Sequence, residues 1–113
     1  MSKNIIRPAD ECQKILSDMA LYAEAARQDY TESHADTGPC GFAEVVIDKR
    51  EVSLRRSEGS PFPRRLSYKG QSPSTLAFCG SYQSIDAVET VARAMADSLI
   101  RNGVQAHIRS WMD

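Results

Sequence analysis

Seven of the fourteen basic side chains, Lys49, Arg50, Arg55, Arg56, Arg64, Arg65 and Lys69, fall between positions 49 and 69, the stretch best equipped for recognition chemistry. Only Glu51 and Glu58 oppose them there, so this segment carries a net +5, while residues 1–48, with four basic and nine acidic side chains, carry −5. The chain is close to neutral overall, with a formal net charge of −1, but it is strongly polarised along its length. Arginine outnumbers lysine five to two in the basic segment, which suits planar, two-pronged contacts with carboxylate or phosphate. Two partners fit such a surface: an acidic protein or a nucleic-acid backbone. Phe62 and Tyr68 lie close enough in sequence to stack on bases, yet no nucleic-acid motif surrounds them. The small negative net charge also disfavours strong non-specific binding to nucleic acid. An acidic protein partner for these seven residues is therefore the first expectation, and DNA or RNA binding through residues 49–69 the alternative. The plainer account is a solvated hairpin edge answered by the acidic first helix.

Other chemistry is thinly represented. Cys40 sits in Gly38-Pro39-Cys40-Gly41, a turn context, and His34 or His107 could serve as its base, which makes a small cysteine-dependent enzyme a third reading. No family signature surrounds that cysteine. His34, Asp36 and Cys40 share a loop, but neither Cys-x-x-Cys nor His-x-x-x-His spacing is present to build a four-coordinate metal site. The six glycines form no phosphate-cradling loop or dinucleotide fingerprint. No cofactor, metal or catalytic residue is expected, and the chain reads as a non-enzyme.

The elements that must position these residues are organised around Ser74 to Trp111. Leu76 and Phe78 alternate with Thr75 and Ala77 as a strand burying one face, and Gly80 breaks the pattern. Ser84 is placed to cap a helix in which Ile85, Val88, Val91, Ala92, Met95 and Leu99 recur at spacings of three and four. Asn102-Gly103 ends it, and Val104, Ala106 and Ile108 resume a period of two. A strand, helix, strand unit of this kind leaves its strands parallel, either as neighbours or with another strand between them. The run Leu76 to Tyr82, the helix, and Asn102 to Ala106 superficially resembles half of a SPOR domain, the peptidoglycan-binding module of cell-division proteins. The likeness spans about a third of the chain and its helix is a few residues longer, so no family is assigned on it.

Upstream, Cys12, Ile15, Leu16, Met19, Tyr22, Ala23, Ala26 and Tyr30 trace the apolar stripe of a helix of about twenty residues, with Pro8 suited to its first turn. Thr31 to Gly41 reads as a loop. Phe42 to Asp48 alternates around Ala43, Val45 and Ile47 and is expected to pair with Glu51 to Arg56 in a hairpin. Lys3 to Arg7 and Leu66 to Lys69 are candidates for short strands. At 113 residues the chain is expected to be one α+β domain, residues 1–113: a mostly antiparallel sheet of four to five strands with two amphipathic helices on one face. If Lys3 to Arg7 is a strand, the order is a ferredoxin-like variant. No apolar run nears the ~18 residues of a membrane span, and Met1 to Asp10 lacks the pattern of a secretory signal. Three cysteines, Cys12, Cys40 and Cys79, match no disulfide framework. These features point to the cytoplasm, and to a small regulator, adaptor or phage-type inhibitor of a larger machine.

Overall fold

A computed structural model describes residues 3–33, 38–66, 71–80 and 83–112. The chain runs α1 (Ala9–Ser33), β1 (Gly41–Ile47), α2 (Val52–Arg56), β2 (Ser74–Leu76), α3 (Ile85–Arg101) and β3 (Ala106–Met112). Its sheet has three strands in the order β2-β1-β3, antiparallel at both junctions, so β2 and β3 are parallel to each other with β1 between them. The central unit is thus a strand, helix, strand crossover split by an inserted strand.

The two long helices lie together on one face of this sheet. On α1, Cys12, Ile15, Leu16, Met19, Ala23 and Tyr30 are buried, while Tyr22 of the same stripe stays partly exposed. On α3, Val88, Val91, Met95 and Leu99 are buried among Ala87, Ala92 and Ala96. Full burial of each larger side chain is worth roughly 1.5–3 kcal/mol. Four of them on one helix are substantial beside a typical net stability of ~5–15 kcal/mol. Ser84 caps α3 as expected, its Oγ accepting from the Ala87 N–H at 3.2 Å. Gly103, at φ +81°, gives the left-handed turn that ends the helix. At Gly41 a Cβ would come within 2.7 Å of Ile85 Cδ1 and 2.8 Å of the Trp111 carbonyl, so only glycine lets β1 begin this close to α3.

The sheet is smaller than the sequence pattern implies. Glu51 to Arg56 forms no return strand: Val52–Arg56 is a short helix. Glu51, Leu54 and Arg55 are its buried residues, a helical spacing hidden in the sequence because two of the three are charged. Lys3 to Arg7 is extended but not part of the sheet; the Ile5 N–H donates to the Arg50 carbonyl at 2.8 Å and no ladder follows. Leu66 is not in a strand, and the rest of the Leu66 to Lys69 candidate lies outside the described residues. A sheet of four to five strands and a ferredoxin-like order are both ruled out, since the first strand and the hairpin that define that order are absent among the described residues. The sheet is open.

One face assignment reverses. Leu76 and Phe78 point away from the helices, and Ala77 and Cys79 are the buried residues. Small side chains are on the core side here, where Ala77 and Cys79 join the cluster formed with α1 and α3. The larger pair is left on the other side.

Candidate binding face on the open sheet

The register between β1 and β3 decides what the uncovered face presents. Phe42 lies opposite Trp111, Glu44 opposite Arg109 and Val46 opposite His107, and all six point away from the helices, Val46 alone being buried there. Across β2, Glu44 faces Leu76 and Val46 faces Ser74. The Ala77 N–H donates to the Ala43 carbonyl at 2.9 Å, extending the ladder one step and bringing Phe78 level with Phe42. Three aromatic rings, Phe78, Phe42 and Trp111, therefore form a row across the face, with Leu76 beside them. Phe42 and Trp111 stack with centroids 5.7 Å apart and planes 29° off parallel. Exposures of 61% for Phe78, 45% for Trp111, 41% for Leu76 and 36% for Phe42 leave the row open to solvent.

The next row is polar and internally satisfied. Arg109 Nη2 meets Glu44 Oε1 at 2.6 Å, and Ser74 Oγ donates to Glu44 Oε2 at 2.8 Å, so one carboxylate ties all three strands together. Among the described residues of β1, β2 and β3 that point to this face, the two charged side chains neutralise each other. At the far end of the strands, Ile47, Asp48, Lys49, Ser72, Gln105, Ala106 and His107 line a shallow hollow of about 420 Å³.

The basic segment is less of a surface than its composition suggests. Arg55 is buried, at 7% exposure, and its fork donates to the carbonyls of Arg64 at 2.8 Å, Lys49 at 3.3 Å and Pro63 at 3.4 Å. It pins the 49 and 63–64 turns together rather than facing a partner. Arg50 closes on Asp48, with Nη2 to Oδ2 at 2.7 Å. That contact, reinforced by the Arg50 backbone N–H, holds the Asp48 carboxyl below the usual carboxylate range. Lys49, Arg56, Arg64 and Arg65 remain exposed, with Arg64 Nη2 donating to the Arg56 carbonyl at 3.3 Å. Lys69 and Tyr68 lie outside the described residues, and Phe62 is buried in the core, where it cannot stack on a base.

Cys40 is exposed and free, whereas Cys12 and Cys79 are buried. His107 cannot act as a base for Cys40: it pairs with Val46, six positions along the strand from Cys40, roughly 20 Å at ~3.3 Å per residue. His34 and Asp36 lie outside the described residues. Among the described residues no cluster of three or more histidine, cysteine or acidic side chains could hold a metal ion. No helix among them is long and apolar enough to cross a membrane.

Comparison with known protein families, with curated proteins and with solved structures finds no match for the chain. Any reading of function therefore rests on the geometry of the face. The alternation around Ala43, Val45 and Ile47 by itself puts Phe42 and Val46 on the side opposite the core. It missed that Phe78 and Leu76 join them, and the available signal was the pair of small residues, Ala77 and Cys79, alternating with two large ones.

Proposed function

We propose that this chain is a non-enzymatic binding protein whose partner is another protein, docked on the uncovered face of the sheet. The observation that carries this reading is the exposed row Phe78, Phe42 and Trp111 with Leu76. Contiguous aromatic surface of this kind is expensive to leave in water, and aromatic side chains dominate the energetics of protein interfaces. A protein partner is favoured over nucleic acid because the face offers no unneutralised cation: Arg109 is already engaged by Glu44. A base stacked on these rings would bring phosphates that nothing on the row could neutralise. The exposed cations Lys49, Arg56, Arg64 and Arg65 supply a basic flank away from the row, which suits a partner with apolar side chains at its centre and acidic ones at its rim.

The test uses two variants and a lysate of the source cells. Leu76→Ser with Phe78→Ser changes exposed side chains only and should leave the melting temperature nearly unaltered while abolishing capture of the partner. Replacing Arg56, Arg64 and Arg65 together with serine should slow association and weaken its salt dependence without abolishing it. Arg55 is left out of that set because its loss would damage the fold. Nuclease treatment should make no difference. Capture that survives Leu76→Ser/Phe78→Ser, or that disappears with nuclease, overturns the reading.

A further inference from the structure

The two edges of the sheet are not alike. The β2 edge is three residues long, and just past it the Phe78 carbonyl is taken by Arg27 Nη1 of α1 at 3.1 Å. The β3 edge is seven residues long. Its register with β1 is unbroken from Gly41 opposite Met112 to Ile47 opposite Ala106, which excludes a bulge, and it contains no proline. Its only lysine, arginine or acid is Arg109, which is already bound to Glu44. Bulges, prolines and free charges are the usual protections of an edge strand, and β3 has none of them.

The hydrogen-bonding direction along β3 follows from β1. The Ala43 carbonyl and the Ile47 N–H both bond on the β2 side, so Ala43, Val45 and Ile47 turn their backbone groups toward β2, and Phe42, Glu44 and Val46 toward β3. Trp111, Arg109 and His107 answer them. Ile108, Ser110 and Met112 consequently aim their N–H and C=O groups outward, where no described residue receives them.

We propose that two copies of the chain pair β3 against β3 as antiparallel edges about a two-fold axis at Ser110, giving one continuous six-stranded sheet. An antiparallel edge is self-complementary under such an axis, and the side chains select the register. Centring on Arg109 would set it directly against its own copy, two like charges in the closest kind of cross-strand pair. Centring on Ile108 would set Arg109 against His107 and leave Trp111 facing Gln105, outside the strand. Centring on Ser110 places Arg109 against Trp111 of the second copy, a guanidinium over an indole, twice by symmetry. It also places Ile108 against Met112, which is 57% exposed in the single chain, and pairs every outward backbone group of Ile108, Ser110 and Met112. This inference rests on the free edge and on the side chains of β3, and does not require the proposed protein partner.

Sedimentation velocity from about 10 μM to 1 mM should show a concentration-dependent dimer. Ser110→Pro removes the outward N–H together with an exposed hydrogen bond from the Ser110 hydroxyl to Glu89, leaves the ladder to β1 intact, and should raise the dimer dissociation constant roughly 30-fold over a Ser110→Ala control through two backbone hydrogen bonds lost by symmetry. Ser110→Cys in a Cys40→Ser background should form a disulfide-linked dimer under mild oxidation, since directly opposed residues in a hydrogen-bonded pair lie about 5.5 Å apart at Cα. Arg109→Cys in the same background should not. A monomer at every concentration, an unchanged dimer with Ser110→Pro, or cross-linking at Arg109→Cys in preference to Ser110→Cys overturns the proposal.

Discussion

Removing Arg7 should cost this protein more stability than almost any other single surface-derived substitution. Glu51 has no solvent exposure, and its carboxylate takes both prongs of Arg7, with Nε to Oε1 at 2.9 Å and Nη2 to Oε2 at 2.8 Å. The same guanidinium donates to the Gly103 carbonyl at 3.2 Å, so one side chain links the N-terminal segment, the start of α2 and the end of α3. The Arg7 guanidinium is held above its ordinary range, chiefly by the hydrogen bonds to Glu51. Arg7→Ala strands a buried carboxylate, at a cost of about 3–5 kcal/mol. With an unfolding entropy of ~2.1 cal/mol/K per residue over 113 residues, the melting temperature should fall by roughly 12–20 °C. Arg7→Met combined with Glu51→Leu removes both charges and keeps the volume, and should recover most of that loss. Thermal melts by circular dichroism of the wild type, Arg7→Met, Glu51→Leu and the double variant complete the cycle, with Arg7→Ala measured beside them. A melting temperature for Arg7→Ala within about 3 °C of wild type would refute the reasoning, as would a double variant no more stable than Arg7→Ala.

Two further outcomes are expected. Asp48, held below the usual carboxylate range by Arg50, contributes stability that is present above the ordinary carboxylate pKa and lost as pH falls through its depressed value. The stability difference between wild type and Asp48→Asn, followed in melts from pH 7 to pH 2.5, should therefore shrink toward zero at the acid end, and a constant difference would contradict the assignment. Brief alkylation of the native protein followed by mass spectrometry should label Cys40 first, because Cys12 and Cys79 are buried and burial pushes the Cys12 thiol up. Early labelling of Cys12 or Cys79 would place them wrongly in the core.

Both long helices and the central strand were legible in the sequence because each carries its own periodicity. The stripe from Cys12 to Tyr30, the α3 face from Val88 to Leu99, the Ser84 cap and the Gly103 stop are local signals, and local geometry alone satisfies them. The sequence makes the two strands of the Ser74 to Trp111 unit parallel, either as neighbours or with another strand between them, and only the tertiary structure decides for β1 between them.

What only the tertiary structure decided lies wherever a charged residue is buried or a strand has two plausible faces. Glu51 and Arg55 read as outward residues of a hairpin, yet Arg7, 44 residues from Glu51, and three backbone carbonyls six to nine residues from Arg55 make their burial tolerable, and with it a helix. Leu76 and Phe78 satisfy a period of two in either orientation, since a strand shifted by one residue exchanges its faces. The fold takes Ala77 and Cys79 into the core with α1 and α3, which puts Phe78 beside Phe42 and Trp111 on the other face. The sequence alone determined the two long helices and marked Phe42 to Asp48 as a strand, whereas α2 and the place of β1 at the centre of the sheet came only with the tertiary structure; the aromatic row exists because three strands distant in sequence were brought into one register.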